Sequence, residues 1–263
     1  MTKPPWRLGR CALLWPSPAL DTAMGIANHL RLLPLLLLPL TAQALQPYEA
    51  TYSATYYGQT GEASSSLTRN ADGSFTTRFN TDISVLFIKF YQHQSSDFQL
   101  QGEQVVPLHY RYSGTRSREV NDLRFDWEEQ RAVEQGNPGW SIAINAAVQD
   151  ELSYQEQLRL DLRRRHQPLE YLVVEEAERL KLLRFERQGA ERLQTPWGAV
   201  DTVRVKRIRG KDKDRETLLW FAPEWDYLLV RIEHTERGSG YRIELKSATL
   251  DGTHLSPPNP NTP

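Results

Sequence analysis

Tyr48-Glu49-Ala50-Thr51-Tyr52-Ser53-Ala54-Thr55-Tyr56 alternates without interruption. In an extended chain Tyr48, Ala50, Tyr52, Ala54 and Tyr56 share one face, and Glu49, Thr51, Ser53 and Thr55 share the other. A period of two with one apolar face predicts a half-buried β-strand. The rhythm continues outward. A strand over residues 63–69 leads into Asn70-Ala71-Asp72-Gly73, a turn-rich tetrad, after which Phe75, Thr77 and Phe79 oppose Thr76, Arg78 and Asn80. That pattern is a hairpin.

Further strands are predicted over residues 91–100, 108–113 and 118–126, and again over 170–175, 180–186, 199–208, 216–221, 227–234 and 240–248. The clearest pair is Leu228, Val230 and Ile232 against Leu229, Arg231 and Glu233, then Tyr241, Ile243 and Leu245 against Arg242, Glu244 and Lys246. Residues 136–147 break the pattern, opening on the turn signal Gly136-Asn137-Pro138-Gly139. A helix is predicted over 149–165, with Tyr154, Leu158 and Leu162 stacked at i, i+4 and i+8 and Asp150 as the cap. Leu158, Leu160 and Leu162 also alternate, so a strand stays open as the second reading there. Regular short strands around one central helix predict a mostly β protein. The expected architecture is a single curved, clam-like antiparallel sheet forming a partial or closed barrel, with a β-sandwich as the alternative.

Residues 24–44 carry an export pattern. Arg31 supplies positive charge, residues 32–40 form a nine-residue apolar core, and Thr41-Ala42-Gln43-Ala44 ends in an A-x-A cleavage site. The core is too short for a membrane span, which takes about 20 residues, so no transmembrane anchor is expected. Residues 1–23 read as a mis-assigned extension ahead of a start at Met24, or as a long n-region. Cleavage after Ala44 leaves a domain over 45–255 and a disordered tail over 256–263. It also removes four of 32 basic and one of 33 acidic residues, leaving 28 against 32 and a net charge of −4. That balance gives no electrostatic footprint for nucleic acid. Cys11, Met1 and Met24 are the only sulfur-bearing residues, so the exported chain has no thiol or thioether, which suits an oxidising periplasm.

A series of short motifs adds to this reading. Val148-Gln149-Asp150-Glu151-Leu152-Ser153 leads into Leu158-Arg159-Leu160; Thr195-Pro196-Trp197-Gly198, Leu219-Trp220-Phe221-Ala222-Pro223, Leu228-Leu229-Val230-Arg231-Ile232-Glu233 and Ile243-Glu244-Leu245-Lys246-Ser247 follow. In order and spacing the series resembles the bacterial family called domain of unknown function 3108, over roughly residues 46–250. The chain departs from that pattern at Leu229, where the family often carries proline. The resemblance implies fold and export, and no activity.

Local catalytic and metal motifs are missing. His93, His109, His166, His234 and His254 show no H-x-H or H-E-x-x-H spacing, so no metal or cofactor is expected. His234 continues the Leu228 face and reads as a hydrogen-bonded histidine at a sheet edge. Ser239 sits in Gly238-Ser239-Gly240 between two strands, a hairpin loop and not a nucleophile elbow. Arg163-Arg164-Arg165 ends the predicted helix, where it complements the helix dipole; contact with an anionic headgroup or glycan phosphate is the sharper reading.

Aromatic residues carry the strongest binding signal. Tyr48, Tyr52 and Tyr56 on one strand face, with Tyr154, Trp197 and Trp220, are the candidate lining of an apolar concavity. Three functions follow. The first is a non-enzymatic periplasmic carrier for a lipid or other hydrophobic ligand. The second is an envelope-assembly scaffold binding a protein or glycan through a sheet edge. The third is an enzyme on envelope glycans whose carboxylates converge from separate strands.

Overall fold

A computed structural model describes residues 45–256 except 57, 86–87, 116–120, 137, 146, 177–178 and 211–213. The predicted signal peptide, the segment before it and the tail from 257 lie outside the described residues. So do 118–120 of one predicted strand and 137 of the predicted turn. In chain order the elements are β1 (Tyr48–Tyr56), β2 (Gln59–Arg69), β3 (Phe75–Val85), β4 (Ile88–Gln101), β5 (Gln104–Gly114), β6 (Asp122–Asp126), β7 (Arg131–Glu134), β8 (Trp140–Ala143) and β9 (Val148–Gln149). Helix α1 (Ser153–Arg164) follows, then β10 (Leu169–Glu176), β11 (Arg179–Thr195), β12 (Gly198–Ile208), β13 (Arg215–Ala222), β14 (Leu228–Glu236), β15 (Ser239–Leu250) and β16 (Thr253–His254).

All sixteen described strands belong to one sheet. Hydrogen-bonded neighbours run from β8 back to β1, cross to β15 and run back again to β10 and β9. The junction is the β1–β15 ladder, from Tyr48 opposite Leu250 to Tyr56 opposite Tyr241. The ladders along this path are antiparallel except the short β9–β10 pair. The path has two ends, β8 and β9, so the sheet is not closed; it is the partial form of the expected barrel, and the sandwich alternative is set aside.

Alternation explains why the sheet has an inside. On β1, Tyr48, Ala50, Tyr52 and Ala54 are buried while Glu49 and Thr51 are exposed. Curvature comes from register shifts at Thr51/Tyr52, Asp97/Phe98, Arg187/Gly189 and Trp220/Phe221, because bulges bend a strand and raise its twist. Gly189 takes φ +121° at one of these shifts, a conformation that suits glycine.

The helix is buried on several sides. Leu158 and Leu162 join Tyr171, Phe185, Val203, Val205 and Leu219 in one core cluster, while Leu160 joins Tyr52, Trp220, Leu228 and Leu245 in another. A helix packed on several sides lacks a single apolar stripe. That is why Leu158, Leu160 and Leu162 also read as strand alternation. The helix is shorter than predicted: Val148–Gln149 are strand, and α1 begins at Ser153.

Ser153, Glu156, Gln157, Arg159 and Asp161 of the helix are buried too, and each has a polar partner. Asp150 Oδ1 accepts the amides of Leu152 (2.8 Å) and Ser153 (2.7 Å), Ser96 Oγ donates to Asp150 Oδ2 (2.6 Å), and the Asp150 amide donates to Ser153 Oγ. These bonds satisfy amides that a helix start leaves free. Gln149 Nε2 donates to the Val105 carbonyl (2.7 Å), and Gln157 Oε1 accepts the Val105 amide (2.7 Å). On the other side Arg159 pairs with Glu156 (2.7 Å) and Asp226 (3.3 Å), and Tyr48 and Thr77 hydroxyls donate to Glu156.

Arg159 is 4 % exposed and Glu156 2 %. Replacing Arg159 by Met leaves the Glu156 and Asp226 carboxylates buried without that cation, and breaking a buried pair from one side costs about 3–5 kcal/mol. Urea unfolding of Arg159→Met should show a loss of that size; a loss below about 1 kcal/mol would mean the ion pair does not hold α1 in place.

Candidate functional site

The register of β12 to β15 builds a graded surface. Val205 lies opposite Leu219, Leu219 opposite Ile232, and Ile232 opposite Ile243, which makes one apolar row across four strands. A step of two residues keeps the same face of the sheet. One step along gives Arg207, Thr217, His234 and Tyr241, with Thr217 opposite His234 and His234 opposite Tyr241. A second step gives Arg209, Arg215 and Glu236, with Arg215 opposite Glu236. The surface therefore passes from aliphatic to polar to charged in two steps. Gly240 is required at the β14–β15 turn, because a Cβ there would run into the His234 carbonyl.

This surface is one wall of a cavity of about 390 Å³. Phe79 of β3 and Gln92 and Gln94 of β4 line it from the first half of the chain. Glu151, Tyr154 and Gln155 line it from the start of α1, and Val173, Glu175, Leu183 and Phe185 from β10 and β11. Tyr154 stacks on Phe185 with ring centroids 6.0 Å apart, and both contact Tyr171, whose hydroxyl donates to Asp161.

Several cavity charges are answered locally. Arg215 pairs with Glu236 (2.6 Å), and Lys181 pairs with Glu175 (2.5 Å). Arg209 Nη2 donates to Thr217 Oγ1 (3.1 Å), which lies 2.8 Å from His234 Nδ1. Tyr110 donates to Glu151 at 3.5 Å. Arg207 is half-buried, and among the described residues no carboxylate stands within ion-pair distance of it. Burial pushes the Tyr154 phenol up to about 12 against the pull of Arg207, and burial likewise raises Tyr241 against Arg209 and Arg207. His234 moves the other way: burial first, then the charge of Arg209, holds its imidazole below the ordinary 6.5.

Thr217, His234 and Glu236 stand in the order of a nucleophile, a base and an orienting acid. His234 Nε2 and Glu236 Oε2 are 3.9 Å apart, too far for a hydrogen bond, and Arg215 holds the same carboxylate. Among the described residues no group of three or more His, Cys, Asp or Glu side chains could hold a metal ion.

Tyr154 is the one residue of the six nominated aromatics that lines the cavity. Tyr48 and Tyr52 lie in the core; Tyr48 Oη bonds Ser65 and Glu156, and Tyr52 Oη donates to the Leu229 carbonyl. Tyr56 is exposed at the end of β1. Trp197 packs on Trp225 with ring centroids 5.2 Å apart, and Trp220 is buried beneath Arg231. Arg163 pairs with Asp226, Arg164 with Asp161 and Glu103, and Arg165 ends the helix in a left-handed conformation. His234 sits on an interior strand, between β13 and β15, and not at the predicted sheet edge. Arg207, Arg209 and Arg215 escaped the sequence reading. Their signal was there in Val205-x-Arg207-x-Arg209, where a buried strand face turns cationic at its end.

A family model described as "Protein of unknown function (DUF3108)" matches residues 47–246. No curated protein sequence matches the chain. Among solved structures, a β-barrel-like protein of domain of unknown function DUF1849 from Brucella abortus is similar at TM-score 0.54 and 12 % identity, over 78 % of this chain and 98 % of that one. MucB matches at TM-score 0.34 and 8 % identity, over 82 % and 56 %. The first likeness is one of fold. No described helix is long and apolar enough to cross a membrane.

A proton NMR titration tests the field in the cavity. His234 should titrate with a midpoint below 6.5, and Arg209→Gln should raise that midpoint part of the way, since burial is the larger cause. A wild-type midpoint at or above 6.5 would contradict a buried, positively biased site.

Proposed function

Since the chain belongs to the DUF3108 family, we propose that it is an exported periplasmic binding protein that holds a lipid or other hydrophobic ligand in the cavity between its sheet and α1. One observation carries this reading: an aliphatic row backed by stacked Tyr154 and Phe185 lines a space of about 390 Å³. Ligand sites of about 300–1,000 Å³ with apolar walls and a few convergent polar groups are the usual design for small molecules. The signal-peptide pattern ending at Ala44 and the sulfur-free chain after it support the compartment. An enzymatic reading draws less support, because His234 has no hydrogen bond to an orienting carboxylate.

Native mass spectrometry of the protein isolated from its own periplasm checks export and cargo together. The expected result is a chain starting at Leu45 with an added mass that organic extraction removes. A chain that keeps Met1 or Met24 in a cytoplasmic fraction would overturn export, and a ligand-free mass in every preparation would overturn the carrier role.

A further inference from the structure

We propose that the cavity selects a hydrophobic ligand bearing one anionic head, a carboxylate or a phosphate, and that Arg207 receives it. This inference rests on the hydrophobic-ligand reading and names the ligand's chemical class.

Charge accounting within the cavity points to Arg207. Glu236 is engaged by Arg215 and Glu175 by Lys181. Glu151, at the start of α1, takes the Tyr110 hydroxyl. Arg207 is half-buried, and no carboxylate among the described residues lies within ion-pair distance of it. A guanidinium withdrawn from water without an anion is costly, and a planar fork matches the oxygens of a carboxylate or phosphate.

The surroundings fit an anion. Arg209 donates to Thr217 Oγ1, which lies 2.8 Å from His234 Nδ1, so a guanidinium, a hydroxyl and an imidazole stand together on the polar row beside Arg207. Tyr154 and Tyr241 line the same cavity and bring phenol hydroxyls as further donors. A cationic head would meet Arg207, whose charge no carboxylate among the described residues answers. A neutral head would leave Arg207 unanswered.

Register supplies the rest of the ligand's shape. Arg207 lies two residues along β12 from Val205, which is opposite Leu219 in the apolar row. The head is thus about 7 Å from the start of the apolar surface. The ligand is an amphiphile whose tail runs toward Leu219, Ile232, Ile243 and Phe79 while its anion stays at the polar row.

The test compares four ligands with one tail on the delipidated full chain, each below its micellar range: dodecanoate, dodecyl phosphate, dodecanol and dodecylammonium. Calorimetric titration should give at least one of the two anions about tenfold or more tighter binding than dodecanol, and dodecylammonium the weakest binding. The preferred anion separates a fatty-acid source from a phosphorylated one. Arg207→Gln should weaken binding of the preferred anion about tenfold and so remove its preference over dodecanol, and Arg207→Lys should restore part of it. Dodecanol binding as tightly as both anions to the wild-type chain would overturn the anionic head and leave the hydrophobic site standing. Failure of all four ligands to bind would overturn the hydrophobic site itself. The wild-type comparison decides the proposal even if a variant fails to fold.

Discussion

Among the described residues no strand lies beside Val105 on the side of β5 away from β4, and two glutamines take the place of one. The pairing of β5 with β6 runs from His109 to Arg111 among the described residues. The earlier part of β5 would otherwise present bare peptide groups, which is costly when buried and hazardous when exposed. Gln157 takes the Val105 amide and Gln149 supplies the Val105 carbonyl, while Trp127 Nε1 donates to the Pro107 carbonyl. These bonds fasten the start of the helical segment to the first half of the chain. The Glu156–Arg159–Asp226 cluster fastens the same helix to the turn between β13 and β14. An open sheet with two ends is thereby drawn around one helix without a closing ladder.

The cavity follows from that arrangement. Helix α1 occupies part of the concavity, and Tyr154 marks where its packing stops. Beyond it the sheet's inner face continues for two more steps along β12 to β15, and its side chains change from aliphatic to cationic on the way. A surface of this kind gives an amphiphile both an apolar wall and a place for its charge. Burial first, and then the charge of Arg209, holds the His234 imidazole below its ordinary 6.5.

Strands with one wet face and one dry face were legible in the amino-acid order, as β1, β14 and β15 show. Strands β7 and β8 were not, because each is only four residues long and β8 buries neither face well. The second half of β11, Arg187 to Thr195, is polar apart from Gly189, Ala190 and the buried Leu193 and is held by its pairing to β12, so it carries little alternation. The motifs behind the family resemblance turn out to have structural work. Gln149 and Asp150 are 1 % and 0 % exposed and hold the helix start, Thr195 Oγ1 closes the turn to Gly198, and Pro223 opens the short 3₁₀ turn that carries Trp225. The cavity was harder to read. Its arginines sit on β12, just past the end of β12 and on β13, and their convergence depends on register between segments that no local pattern specifies. The nominated aromatics were legible as a buried face, and most of that face serves the core.

The claim that two glutamine side chains replace a neighbouring strand can be measured at one atom. Native-state hydrogen exchange of the Val105 amide should be as slow as that of amides in the β1–β15 ladder, and Gln157→Leu should make it fast while the ladder amides stay protected. A Val105 amide that exchanges rapidly in the wild-type protein, or that stays protected after Gln157→Leu, would contradict the account.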